Sequence, residues 1–336
     1  MLRLVNKTPF ATALMPALNK EGVDHAVVVV KGTFPIVPDS SGEVEQRPVA
    51  WPDAHYGAPD KSSVKYAGDA ALRKPGTDVY LVACAHAPRS GVAVFDASIE
   101  VGSTVRKTVR VIGDRVWYRV LGSWKATEPR PVERVPVLYE RAFGGWTPTG
   151  GGAPGSDFEP RNPVGVGYGG PNPPESLEGK PLPNIEDPRQ PLGSPWDRPE
   201  PAGLGAIAPW WAQRYRWAGT LDEAWQAERC PLLPLDFDER YFQVAPPDLV
   251  TPKHLTGGEP VRLTNLDPKG SEVFTLPRRQ VRITARIRGS ESVHDAALDT
   301  VCIEPEENRV VLAWRATIPC PGEFLLIDVL KVEEAN

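Results

Sequence analysis

Period-two alternation of apolar and polar residues dominates both ends of the chain. His25 to Ile36 (HAVVVVKGTFPI) is a β-branched apolar run, and Asp78 to Ala87 (DVYLVACAHA) is a second that stops at Pro88. Gly91 to Val101, Thr104 to Gly113 and Arg115 to Gly122 alternate and are joined by short turns at Gly102-Ser103 and Gly113-Asp114. Such spacing predicts an antiparallel meander. Within TVRKTVRVIG, Val105, Val109 and Val111 share one face, and Arg106, Thr108 and Arg110 share the other. Near the C-terminus EPVRLTNL, RQVRITARIRG, LDTVCIEPEE, RVVLAWRATIP and EFLLIDVLKV read as further strands, with PEEN as a hairpin turn. The two β-rich ends show no mutual repeat. They are expected to form two sheets of one sandwich or two packed units.

Between them, roughly Phe143 to Leu249, the pattern fails. Pro and Gly fill 28 of the 65 positions from Gly145 to Pro209, a density that forbids long helices and central strands. The segment also carries Trp146, Trp196, Trp210, Trp211, Trp217 and Trp225. Disordered chains are poor in aromatics, so an ordered irregular segment is expected, braced mainly by these rings. One short helix is predicted in TLDEAWQAERCP. There Thr220 and Glu223 form a capping box, Leu221, Ala224 and Trp225 share a face, and Pro231 ends the helix. The expected fold is therefore all-β: an antiparallel, sandwich-like scaffold forming a single domain over 1–336. Its parts are a β-rich 1–140, an irregular 143–249 and a β-rich 255–336.

Composition adds limits. With 336 residues the chain can bury a sizeable core, and 41% hydrophobic and 24% charged residues suit a globular protein. A net charge of −5 gives no general attraction to nucleic acid or anionic membrane. Cys84, Cys230, Cys302 and Cys320 are far apart and show neither a disulfide framework nor zinc spacing. Asn6, Lys7, Thr8 and Pro9 interrupt the opening apolar run, so no secretory signal and a cytoplasmic location are expected.

Gly165, Gly167 and Gly170 in RNPVGVGYGG match the G-x-G-x-x-G spacing of dinucleotide-binding loops. That chemistry needs a strand before the loop and a helix after it to present amides to a pyrophosphate. DFEPRNP precedes it and PNPPESLEGKPLPN follows, so neither exists, and no cofactor is expected. The stretch reads instead as structural, with Arg161, Asn162, Pro163, Gly165 and Gly167 shaping a tight turn. Asn184, Asp236 and Asp238 are placed in the same structural class. Extended PLDFDERYF would put Asp236, Asp238 and Arg240 on one face, where arginines can pair with the acids. The competing chemistry is a hydrolase using Asp236 with Asp238, or Glu186 with Asp187. The histidines His25, His55, His86, His254 and His294 lie at no ligand or triad spacing, and neither G-x-S-x-G nor a P-loop is present. Trp210, Trp211, Arg214, Arg216 and Trp217 form the candidate binding surface, because Trp and Arg dominate protein interface hot spots.

Seven ordered blocks carry a resemblance. They are YERAFGGW, RNPVGVGY, LPNIEDP, PAGLGAIAPWWAQR, AGTLDEAW, PLLPLDFDERYFQVAPPDL and LTGGEPVRLTNL. Together they resemble the bacterial domain of unknown function 2169 family, from NKTPF to about Leu266 and more weakly beyond. A glutamine usual after PPD is Leu249 here. The resemblance implies a non-enzymatic adaptor or chaperone of type VI secretion, with a structural component of the spike as the alternative. Its partners would be a cognate secreted effector, a PAAR-domain protein and the trimeric spike protein. No nucleic acid, membrane or catalytic residue is implied.

Overall fold

The computed structural model describes residues 2–37, 44–147, 157–172 and 175–335. The glycines and prolines of 148–156 and the Pro173-Pro174 pair of the expected irregular segment lie outside the described residues. The strands that build the scaffold are, in chain order, β1 (Arg3–Asn6), β2 (Ala11–Leu18), β3 (Asp24–Pro35), β4 (Asp78–Leu81), β5 (Val94–Val101), β6 (Val105–Ile112), β7 (Phe143–Gly144), β8 (Val166–Gly167), β9 (Ile185–Glu186), β10 (Pro260–Asp267), β11 (Gly270–Thr275), β12 (Val281–Ile287), β13 (Ser290–Glu304), β14 (Arg309–Pro319) and β15 (Ile327–Glu334).

Two sheets organise them. The larger runs β1-β15-β12-β13-β14-β3-β2, with β4 added beside β13; the smaller runs β9-β6-β5-β10-β11. Pairing is antiparallel except for β1 with β15 and β4 with β13 in the first sheet. Each sheet draws strands from both ends of the chain, so neither half of the sequence is a sheet of its own. The larger sheet is curled until nearly closed. Its edges β1 and β2 are joined by only Lys7–Phe10. Five Cα steps reach about 17 Å at full extension, whereas seven strands laid flat would separate the edges by about 29 Å.

Burial explains the apolar runs. In β3, Ala26, Val28 and Val30 face the main core, while Val27 and Val29 meet Leu72 on the opposite side. Both faces are covered, so the sequence reads VVVV rather than alternating. Phe10 and Trp314 are buried in the main core with Phe34 packed against them, Phe10 stacked 5.6 Å from Trp314. The valine face of β6 is buried as expected. The hairpin turns are also local products. Asn308 adopts φ 50° after Pro305–Glu307, in the PEEN turn. Arg288 and Gly289 have φ 50° and 80°, which suits the two-residue turn between β12 and β13.

Several expectations need correction. The segment Arg115–Gly122 does not continue the β5–β6 meander. Trp117–Val120 instead pairs with Ser123–Ala126 as a separate ribbon, and the free edge of β6 takes β9. Trp117 decides this, because it is fully buried in a second core with Phe143, Tyr168, Leu177, Leu182 and Leu192. The irregular segment holds two short helices, α1 (Ala212–Tyr215) and α2 (Glu223–Glu228). The cap of α2 is Asp222, whose carboxylate accepts from the Trp225 N–H, while the Thr220 hydroxyl donates to Asp236. No residue of α2 is fully buried and Leu221 is exposed; of the expected apolar face only Trp225 is half-buried, its indole N–H donating to the Leu232 carbonyl. Nor do the tryptophans brace the middle. Trp211 alone of the six is buried, while Trp146, Trp196 and Trp210 are exposed. Small aliphatic residues (Leu204, Ala206, Ile207, Ala208) fill the space beneath the segment instead. No helix among the described residues is long and apolar enough to cross a membrane.

Candidate functional site

The glycine-rich stretch is an interlock between two strands of the middle segment. β7 and β8 pair in parallel, Phe143 with Val166 and Gly144 with Gly167. Asn162 is fully buried and its Nδ2 donates to the carbonyls of Tyr139 (2.8 Å) and Phe143 (2.9 Å). Its own carbonyl accepts from the Gly145 N–H. A Cβ on Gly145 (φ 88°) would come 2.1 Å from the Gly165 oxygen, and one on Gly165 would come 2.4 Å from Asn162 Nδ2. Backbone touches backbone here, which only glycine permits. Asn184 makes the next tie: its Nδ2 donates to the Ile112 carbonyl and Asp114 Oδ1, and its Oδ1 accepts from Arg141.

This interlock positions Arg161, which forks onto Glu159 (2.7 and 2.9 Å) and reaches Glu200 (2.9 Å). Arg161 is one wall of a groove of about 560 Å³, lined also by Lys107, Asp187, Arg189, Pro201, Ala202, Ala212, Gln213, Arg216, Pro246, Pro247 and Asp248. Four of the seven blocks meet there, through Arg161, Asp187, the pairs Pro201-Ala202 and Ala212-Gln213, and Pro246 to Asp248. Lys107 lies at 10% side-chain exposure and pairs with Asp248 at 3.1 Å. Burial pulls its ammonium below the ordinary lysine pKa, against the pull of Asp248. Sequence reasoning missed this residue, although the signal existed: 107 falls on the valine face of β6, where a lysine is anomalous.

A second cavity of about 380 Å³ shares Gln213, Arg216 and Pro247 with the groove, and adds Arg214, Trp217, Arg240, Gln243 and Thr251. Of the five residues expected to bind a partner, Arg214, Arg216 and Trp217 line it. Trp211 does not. It is fully buried, 5.0 Å from the Tyr139 ring, and belongs to the core. Trp210 is 42% exposed and rests edge-on against Trp211. Arg214 is also largely buried, so it is a cavity wall and not an exposed contact. It donates to the carbonyls of Tyr241 (3.0 Å) and Ile207 (2.7 Å). The Trp217 ring lies under two guanidinium groups, Arg240 at 3.4 Å and Arg216 at 4.8 Å.

The carboxylates considered for hydrolysis are all engaged. Asp236 accepts from the Thr220 N–H and hydroxyl. Asp238 caps the 3-10 turn Glu239–Phe242 and pairs with Arg240 at 2.6 Å, so PLDFDERYF is not extended and its acids do not line one strand face. Glu186 meets Arg115 at 2.5 Å, and Asp187 meets Arg189 at 2.7 Å. Hydrogen bonds hold Asp187, Asp236 and Asp238 below the usual carboxylate pKa: those from Arg189 to the first, from Thr220 to the second and from Arg240 to the third. Such groups are ionised acceptors at neutral pH, unsuited to donating a proton to a leaving group. Cys84, Cys302 and Cys320 are buried, Cys230 is exposed, and all four are unbridged.

No curated protein and no solved structure matches the chain. The sequence profile of a bacterial family described as "uncharacterized protein conserved in bacteria (DUF2169)" matches residues 21–315. The match starts later than NKTPF and continues past Leu266 through β12, β13 and most of β14. The chain therefore belongs to the DUF2169 family.

Proposed function

We propose that the protein is an adaptor of bacterial type VI secretion that holds a segment of a cognate toxic effector and delivers it to the spike. The spike end would consist of the PAAR-domain tip and the trimeric spike protein, and the adaptor would act in the cytoplasm. One observation carries the reading: four separated blocks of the family pattern deliver residues to a single open groove. Glycines and buried asparagines hold its walls, and loops on a rigid sheet scaffold are suited to recognition. The engagement of all four candidate acids favours an adaptor over a hydrolase. Release at the spike fits an interface of standard size, about 1,200–2,000 Å².

Co-expression with the effector encoded beside it tests the reading. The effector should co-purify with the adaptor, together with PAAR-domain or spike protein. Gln190→Trp, at an exposed groove position, should weaken capture without changing thermal unfolding. Absence of effector, PAAR-domain and spike proteins from the purified adaptor would overturn it.

A further inference from the structure

We propose that the cavity beside α1 is a carboxylate-recognition site, taking an aspartate or glutamate side chain of the bound partner segment. The inference rests on the adaptor reading and narrows it to one class of peptide.

The charge of the cavity wall is one-sided. Arg214, Arg216 and Arg240 line it, and no aspartate or glutamate does, although the whole chain carries a net charge of −5. Arg240 is answered by Asp238 from outside the wall. Arg214 and Arg216 form no ion pair among the described residues. Arg214 is only 8% exposed. A guanidinium taken from water without a direct ion partner is costly; Asp53 and Asp78 act on it only from a distance and do not offset its burial, and backbone carbonyls at two of its nitrogens satisfy hydrogen bonds without neutralising it. Burial lowers its pKa accordingly. A carboxylate held by exposed Arg216 against the Arg214 wall supplies a direct counter-charge and suits the planar fork geometry of arginine. Arg216 lies over the Trp217 ring, 4.8 Å from its centroid.

A second feature points to a peptide rather than a free acid. Gln213 belongs to both cavities, its Oε1 is out of contact with solvent, and no hydrogen bond satisfies it. Because the two cavities join at Gln213, Arg216 and Pro247, a peptide that places its acidic side chain here can continue into the neighbouring groove.

Selection from a random peptide library displayed on phage, against the full chain, is the test. Recovered peptides should share one aspartate or glutamate. Replacing that residue by its amide should weaken binding about tenfold, the scale of one lost charge-assisted hydrogen bond. Arg216→Gln, an exposed position, should abolish the acid preference while circular dichroism stays unchanged. Arg214→Lys should reduce it too, because a point charge lacks the fork. Peptides without an acidic consensus, or an acid preference indifferent to Arg216→Gln, would overturn the proposal. So would sodium acetate quenching Trp217 emission while no acidic peptide is selected, which would mark a site for free carboxylates. In each of these cases effector co-purification can persist, so the adaptor reading fails or stands separately.

Discussion

A Cβ added at Gly165 would sit 2.4 Å from Asn162 Nδ2 and 2.6 Å from the Ala142 oxygen. The neighbours are main chain and a fully buried side chain, so none of them can swing aside. Gly165→Val should therefore lower stability by about 2–3 kcal/mol in urea unfolding, the range of overpacked sites. Partner binding should fall only as far as the folded fraction falls. Unchanged stability with lost binding would make the loop a contact surface. RNPVGVGYGG thus illustrates how far single residues are legible. Its flanks ruled out a cofactor loop, but its partner, the Gly144-Gly145 pair, is set by a long-range approach that no spacing reveals. Lys107 was similarly visible only as a misfit on a valine face. Its partner Asp248 lies far away in sequence.

Among the elements, β13 is where local pattern and tertiary demand diverge. The apolar part from Leu298 is plain in the sequence, whereas Ser290 to Ala296 form a polar, largely exposed extension that pairs with β12. The register shifts between Leu298 and Thr300, and the residue at that break is Asp299, buried against Arg315 of β14 at 2.5 Å. Burial raises the Asp299 pKa, but the charges of Arg315 and Lys74 outweigh it and the net shift is downward. Asp299→Ala strands a guanidinium that is only 3% exposed, and should cost about 3–5 kcal/mol in urea unfolding. A loss below about 1 kcal/mol, typical of a surface pair, would contradict that role for the ion pair. The sign with pH follows. A lowered folded-state pKa stabilises the fold above the ordinary carboxylate value of about 3.9, and that stability is lost as pH falls through the folded value. The wild-type protein should therefore lose stability below about pH 4 more steeply than Asp299→Ala.

For the whole molecule, closure of the larger sheet depends on a four-residue edge strand, β1. β1 covers one side of β15 by parallel pairing, and Lys7–Phe10 carries the chain across to β2. Deleting residues up to Asn6 should expose the β15 edge, and unpaired edges recruit other chains. Size-exclusion chromatography should then show self-association together with a lower unfolding midpoint. A monomer of unchanged stability would show that β1 is dispensable.

The sequence alone determined the β-rich class, most strand positions, the hairpin turn at PEEN and the structural character of the glycine stretch. These follow from short-range rules, because alternation, turn residues and proline act within a few positions of themselves. Tertiary structure decided which strands pair, and so the mixed origin of both sheets and the departure of Arg115–Gly122. It also decided which tryptophans are buried and which arginines line a cavity without a carboxylate. Those outcomes depend on competition among distant surfaces for burial and counter-charge. Trp210 and Trp211 are neighbours in sequence and of one residue type, yet one is exposed and the other is core.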